Sequence, residues 1–169
     1  MARVVMVVAH EKFRDEELFD TKAELESAGH KVAVASTALT PAKGGMRLAK
    51  VDLLLDNVGM DFDAIVFIGG SGASQFYTSP VALNLAKRYY AANKVVAAIC
   101  IAPGILANAR ILNGKKATAF DDDDCIQMIT DNGGKYTGTD VEVSGKIVTA
   151  NGPQAAHRFG RIISSLLPE

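Results

Sequence analysis

The chain has 169 residues, 49% of them apolar and 22% charged, with a formal net charge of −1. This is enough chain and enough apolar side chain for one folded domain with a full core, and it excludes a disordered polymer. The balanced charge gives no electrostatic footprint for nucleic acid or an anionic membrane surface, and two cysteines without a paired pattern exclude a disulfide framework and point to a reducing, cytoplasmic setting.

Residues 3–9, RVVMVVA, form a β-branched run bounded by charge, the pattern of a strand buried on both faces of a parallel sheet. The run is too short to cross a membrane and leads straight into charged residues, so it reads as a first strand and not as a leader. After the polar stretch HEKFRDEE, apolar positions Leu18, Phe19, Ala23, Leu25 and Ala28 recur at helical spacing, and Gly29 stops the helix. KVAVA at 31–35 is a second strand, so the chain opens as a right-handed β-α-β unit. Residues 36–60 carry turn signals and short apolar runs, which predict a small hairpin or edge strands.

DAIVFI at 63–68 is the next core strand and ends in the glycine turn Gly69-Gly70-Ser71-Gly72. A helix over 80–92 leads to the strand 95–99. Cys100 follows at a sharp bend that opens a helix at Pro103. A turn and short strand in ILNGKKATAF, a helix over 121–132 opened by four aspartates, strands near Tyr136 and within 141–148, and a terminal helix over 154–167 complete the chain. The alternation predicts a single α/β domain over 1–169: a doubly wound sandwich with a mostly parallel sheet and helices on both faces.

In such sheets chemistry collects beyond the carboxyl ends of the strands. Cys100 is either a small core residue or a nucleophile. A strand–turn–helix elbow favours the nucleophile, because it presents the side chain at a helix N-terminus where the dipole and free N–H groups favour the thiolate. Cys125, inside a helix among Ile126, Met128 and Ile129, reads as structural. The glycine turn fits neither a Walker loop nor GxGxxG. Its backbone suits oxyanion stabilisation, with Gly70 and Ile101 supplying the N–H groups. Among Asp15, Glu16 and Glu17, any one acid is explained by a charged helix start, while the sharper reading turns one carboxyl toward the sulfur, protonated and donating to the thiolate. Asp121 to Asp124 read as helix caps and not as metal ligands. His10 is a rim residue or an accessory proton shuttle; His30 and His157 receive no role. No metal, nucleotide or flavin site is expected.

Several segments together resemble the ThiJ/PfpI superfamily over nearly the whole chain. AAICIAPGILANA is similar to its nucleophile elbow, FRDEELFDTKAELESAGHKV to its first loop and helix, DAIVFIGGSGAS to its glycine turn and GKIVTANGP to its late strand and loop. The resemblance implies a flavodoxin-like fold, usually a dimer or larger homo-oligomer, with Cys100 in the place of the family cysteine, Glu17 in that of its protonated glutamate, and Gly70 and Ile101 at the oxyanion positions. Protease-like members carry histidine directly after the cysteine, where this chain has Ile101, and some relatives carry histidine where this chain has Phe120. Those departures remove the base of a Cys-His peptidase. What remains implies a cofactor-independent glyoxalase or deglycase acting on a small reactive carbonyl through Cys100 and Glu17. Redox sensing through Cys100 oxidation and a residual PfpI-like peptidase or amidase activity are the alternatives.

Overall fold

The structure is a computed structural model describing residues 1–169. Twelve strands and five helices follow in chain order. The first half comprises β1 (Arg3–Val7), β2 (Glu11–Phe13), α1 (Asp15–Ser27), β3 (Lys31–Ser36), β4 (Ala42–Gly44), β5 (Leu48–Ala49), β6 (Leu53–Leu54), β7 (Ala64–Phe67) and α2 (Pro80–Ala91). The second comprises β8 (Val95–Ile99), α3 (Pro103–Asn108), β9 (Lys116–Ala117), α4 (Asp123–Asp131), β10 (Lys135–Tyr136), β11 (Val141–Ser144), β12 (Ile147–Ala150) and α5 (Ala156–Leu166).

Seven strands form the central sheet in the order β11-β12-β8-β7-β1-β3-β6. Every neighbouring pair is parallel except β11 with β12. The apolar runs read from the sequence are therefore the strands that a doubly wound sheet buries on both sides. Side chains alternate between the faces. Val5, Val7, Val96 and Ala98 pack with Leu85, Tyr89, Ile105 and Ile129 from α2, α3 and α4. Val4, Met6, Ala97 and Ile99 pack with Leu18, Leu25, Phe159 and Ile163 from α1 and α5. This is the flavodoxin-like arrangement, with helices on both faces. No helix is long and apolar enough to cross a membrane.

The stretch 36–60 resolves into both expected forms: an antiparallel hairpin of β4 with β5, and β6 added in parallel to the sheet edge beside β3. Two elements depart from the sequence reading: β2, inside the stretch read as a polar loop, is a short strand paired with β4, and the segment after the glycine turn is helical. Ser71–Thr78, expected as a glycine turn alone, winds into a 3-10 helix. Its helical hydrogen bonds follow from the tight turn at Gly70, whose carbonyl accepts the Ala73 N–H at 3.0 Å.

Candidate active site

The parallel strands place three loops at one sheet edge. Cys100 follows β8, which lies between β7 and β12, so its neighbours are the Gly69–Gly70 turn after β7 and the residues after β12. By strand alternation, residue 100 would follow Val96 and Ala98 onto the α2 and α3 face. Instead Cys100 packs against the opposite cluster, toward α1. The reason is its backbone: Cys100 has φ 65°, a left-handed conformation unusual for a residue with a Cβ. Surrounding hydrogen bonds hold that bend. The Cys100 N–H donates to the Ala150 carbonyl at 3.0 Å, and the Phe120 N–H donates to the Cys100 carbonyl at 2.8 Å.

The first turn of α1 brings Glu17 to the same point. Its side chain has no solvent exposure. Oε1 accepts the Gly69 N–H at 2.9 Å, while Oε2 is buried and makes no hydrogen bond of standard geometry. Glu16 turns outward to pair with Arg14 Nε at 2.6 Å. Glu17 and Cys100 close on Gly69 from two sides: a Cβ there would stand 2.5 Å from Cys100 Cβ and 2.6 Å from Glu17 Oε1. Gly70 is equally constrained. Its φ is 99°, and a Cβ would meet the Lys12 carbonyl oxygen at 2.5 Å.

Burial pushes the Glu17 carboxyl up to about 7, against the opposing pull of the nearby sulfur and the Gly69 N–H. The elbow's pull on Cys100 toward the thiolate is opposed at this site. Burial, followed by the charge of Glu17, pushes the thiol up to about 12, and the Gly70 and Ile101 N–H groups aimed at the sulfur offset only part of that. Helix α3 has just six residues, so its dipole is a weak counterweight to desolvation. Between those two values the pair holds one proton, mainly on the sulfur, with the tautomer that carries it on Glu17 in equilibrium.

The sulfur opens onto a cavity of about 580 Å³ walled by Gly70, Ile101, Arg14, Tyr77, Phe120, Asp122, Asp124 and Gln154 among others. The structure does not bring His10 into it. His10 Nε2 sits 2.9 Å from the Thr40 carbonyl oxygen. His30 binds the Ala2 N–H and Ser164, and His157 faces Asp20 and Glu24. Of the aspartate run, Asp122 caps α4 by accepting the Cys125 N–H at 2.9 Å.

Cys125 is fully buried, and its Sγ donates to the Ile101 carbonyl at 3.4 Å. Arg14, Tyr77 and the pocket-facing role of Asp122 and Asp124 escape sequence reasoning. Asp122 and Asp124 carried only a capping signal. Tyr77 carried none, since its partner Ile101 lies 24 residues away.

A doubly wound parallel sheet with a cysteine on a left-handed strand–turn–helix bend, facing a buried carboxyl from the first helix, defines the architecture of ThiJ/PfpI proteins. The chain belongs to the DJ-1/PfpI family, whose model matches residues 2–166. An uncharacterized protein of Methanocaldococcus jannaschii is 40% identical over 94% of this chain and 79% of its own length. The deglycase PfpI of Pyrococcus furiosus is 31% identical over 96% of this chain and 98% of its own. The glutathione-independent glyoxalase DJR-1.2 of Caenorhabditis elegans is 28% identical over 89% of this chain and 81% of its own. The crystal structure of a ThiJ/PfpI domain protein from Brachyspira murdochii superposes with a TM-score of 0.93 at 34% identity, covering 97% of this chain and 95% of that one.

Proposed function

We propose that this chain is a cofactor-independent glyoxalase or deglycase in which Cys100 attacks a small α-oxoaldehyde, or its amine adduct, and Glu17 carries the proton. The observation behind this reading is the buried carboxyl oxygen of Glu17 beside the Cys100 sulfur, with the Gly70 and Ile101 backbone N–H groups aimed at the same atom. The relatives named deglycase and glutathione-independent glyoxalase support the same chemistry.

The reactive species is the tautomer with the proton on Glu17 and the negative charge on sulfur. The thiolate adds to the aldehyde carbon. A C–S bond forms, the carbonyl π pair moves to oxygen beside the Gly70 and Ile101 N–H groups, and Glu17 protonates it to a hemithioacetal. From a hemiaminal adduct the same attack breaks the C–N bond, and the amine leaves with the Glu17 proton. The Glu17 carboxylate then removes the proton on C1 and returns it to C2, while the C1 hydroxyl proton passes to the C2 oxygen. The result is a 2-hydroxy thioester. Water attacks it, the C–S bond breaks, and a 2-hydroxy acid and the thiol are released. The sum, R–CO–CHO plus water giving R–CHOH–COOH, needs no external oxidant. A Cys-His peptidase is less well supported, because all three histidines are engaged elsewhere.

The test is lactate formation from methylglyoxal by the purified protein. Wild type is expected to produce it and Cys100→Ala to lose at least about a hundredfold of the rate, the scale on which a covalent nucleophile acts. No lactate from wild type, or an unchanged rate in Cys100→Ala, overturns the proposal.

A further inference from the structure

Gly70 and Ile101, the two donors of the proposed oxyanion site, come from separate segments: Gly70 opens the 3-10 helix after β7, and Ile101 follows the bend after β8. One side chain joins them. Tyr77, near the end of the 3-10 helix, donates its hydroxyl to the Ile101 carbonyl at 2.8 Å. We propose that Tyr77 is a positioning residue that sets the spacing of the two donors, a role that rests on the assignment of Gly70 and Ile101 as the oxyanion groups.

Three observations carry this. First, the Tyr77 ring has a built seat. A Cβ at Gly104 would lie 2.7 Å from Tyr77 Cε1, so the glycine at the start of α3 is what lets the ring lie against the helix. Asn108, at the other end of α3, donates to the Tyr77 carbonyl at 3.0 Å. The tyrosine is therefore fastened to α3 by backbone, ring and hydroxyl, while its own segment runs back to Gly70.

Second, the Ile101 peptide is pinned on both sides. The Cys100 carbonyl, in the same peptide unit as the Ile101 N–H, accepts from Phe120, and the Ile101 carbonyl accepts from Tyr77, Cys125 and Gly104. Of these donors the tyrosine makes the shortest contact to the Ile101 carbonyl and alone comes from the Gly70 segment. The Phe120 bond orients the peptide that carries the Ile101 N–H, and the bonds to the Ile101 carbonyl hold the peptide that follows, so the residue is fixed between two held planes.

Third, the bend is under strain at Cys100 φ 65°. A non-glycine residue stays there only while its surroundings over-determine the backbone. Removing the tyrosine hydroxyl takes away the shortest bond to the Ile101 carbonyl and the one that comes from the Gly70 segment, and leaves the longer Gly104 and Cys125 bonds to hold the residue after the bend.

The experiment is Tyr77→Phe, which keeps the ring on Gly104 and removes only the hydroxyl. On methylglyoxal, kcat is expected to fall about tenfold with KM within twofold, less than the ~100- to 1,000-fold lost when an oxyanion donor itself is removed. Because the same N–H groups face the resting sulfur, the midpoint of the pH profile for Cys100 alkylation by iodoacetamide is expected to rise relative to wild type. A merely structural tyrosine would alter melting and leave both readouts unmoved. A kcat within twofold of wild type together with an unshifted alkylation midpoint overturns the positioning role.

If wild type forms no lactate, the proposed function fails by itself. The alkylation midpoint then decides the tyrosine: a rise upholds it and no shift overturns it. Should Tyr77→Phe not fold, Asn108→Ala replaces it. That change loosens the same segment from α3, and the same two readouts decide with the same signs.

Discussion

At the residue scale, the decisive feature is the shared proton of Glu17 and Cys100. Elbow geometry alone argues for a permanently ionised thiol, whereas the buried carboxyl opposes it. Glu17 is raised to about 7 and Cys100 to about 12, each by burial first. In the proposed mechanism the active form is the singly protonated pair. Below the lower value both groups hold protons, and the thiolate is lost. kcat/KM for methylglyoxal is therefore expected to rise with pH through about 7 and to show no fall until strongly alkaline conditions. Glu17→Gln removes the carboxyl that titrates there and the group that moves the C1 proton. That variant is expected to lose the rise near 7 along with most of the rate. A pH–rate profile of both proteins checks this; an unchanged inflection in Glu17→Gln would assign the titration to another group.

At the element scale, the sequence pattern was legible wherever a segment satisfies its own physics. The β-branched runs of β1, β7 and β8 and the helices α1, α2, α4 and α5, two of them capped by Ser79 and Asp122, announce themselves through local periodicity and turn residues. The bend at Cys100 was legible because an apolar run ends abruptly before a proline. What stayed hidden depends on residues distant in the chain. The tyrosine seat needs Gly104 and Ile101, and the 3-10 helix 71–78 begins in a glycine- and serine-rich stretch whose turn signals mask its short apolar spacing. The sign of the Cys100 shift needs the depth of burial, which no spacing encodes. His10 lies next to the first strand in sequence yet is drawn to Thr40 across the hairpin loop.

Of the four aspartates before Cys125, the geometry gives the cap to Asp122, whose side chain satisfies the Cys125 N–H. Asp122→Ala is expected to destabilise the protein by about 1 kcal/mol, the usual cost of an N-cap. For a chain of this size that lowers the melting temperature by roughly 2–4 °C. Calorimetry on Asp122→Ala against Asp121→Ala, which has no capping bond to lose, checks the assignment.

At the scale of the whole molecule, the site has a cost that the fold carries. The sheet edge and α1 hold Glu17 fully out of solvent, so ionising it in the folded protein is harder than in the unfolded chain. A carboxyl raised in the folded state leaves the native protein binding more protons than the unfolded one between the two values, so stability falls as pH rises through that interval. Here the interval runs from the ordinary 4.5 to about 7. The stabilising preference for the protonated form is complete below the lower value and exhausted above the upper one. At 1.36 kcal/mol per unit, the difference is on the order of 3 kcal/mol. Glu17→Gln retains a similar shape and cannot ionise, so the comparison isolates this single group from the other titrating residues. Urea denaturation of both proteins at several values between pH 4.5 and 8 is expected to show the variant gaining on wild type as pH rises, by up to that amount. Parallel pH dependences would mean that the Glu17 carboxyl is not raised in the folded protein, and a rise in rate through about 7 would then belong to another group.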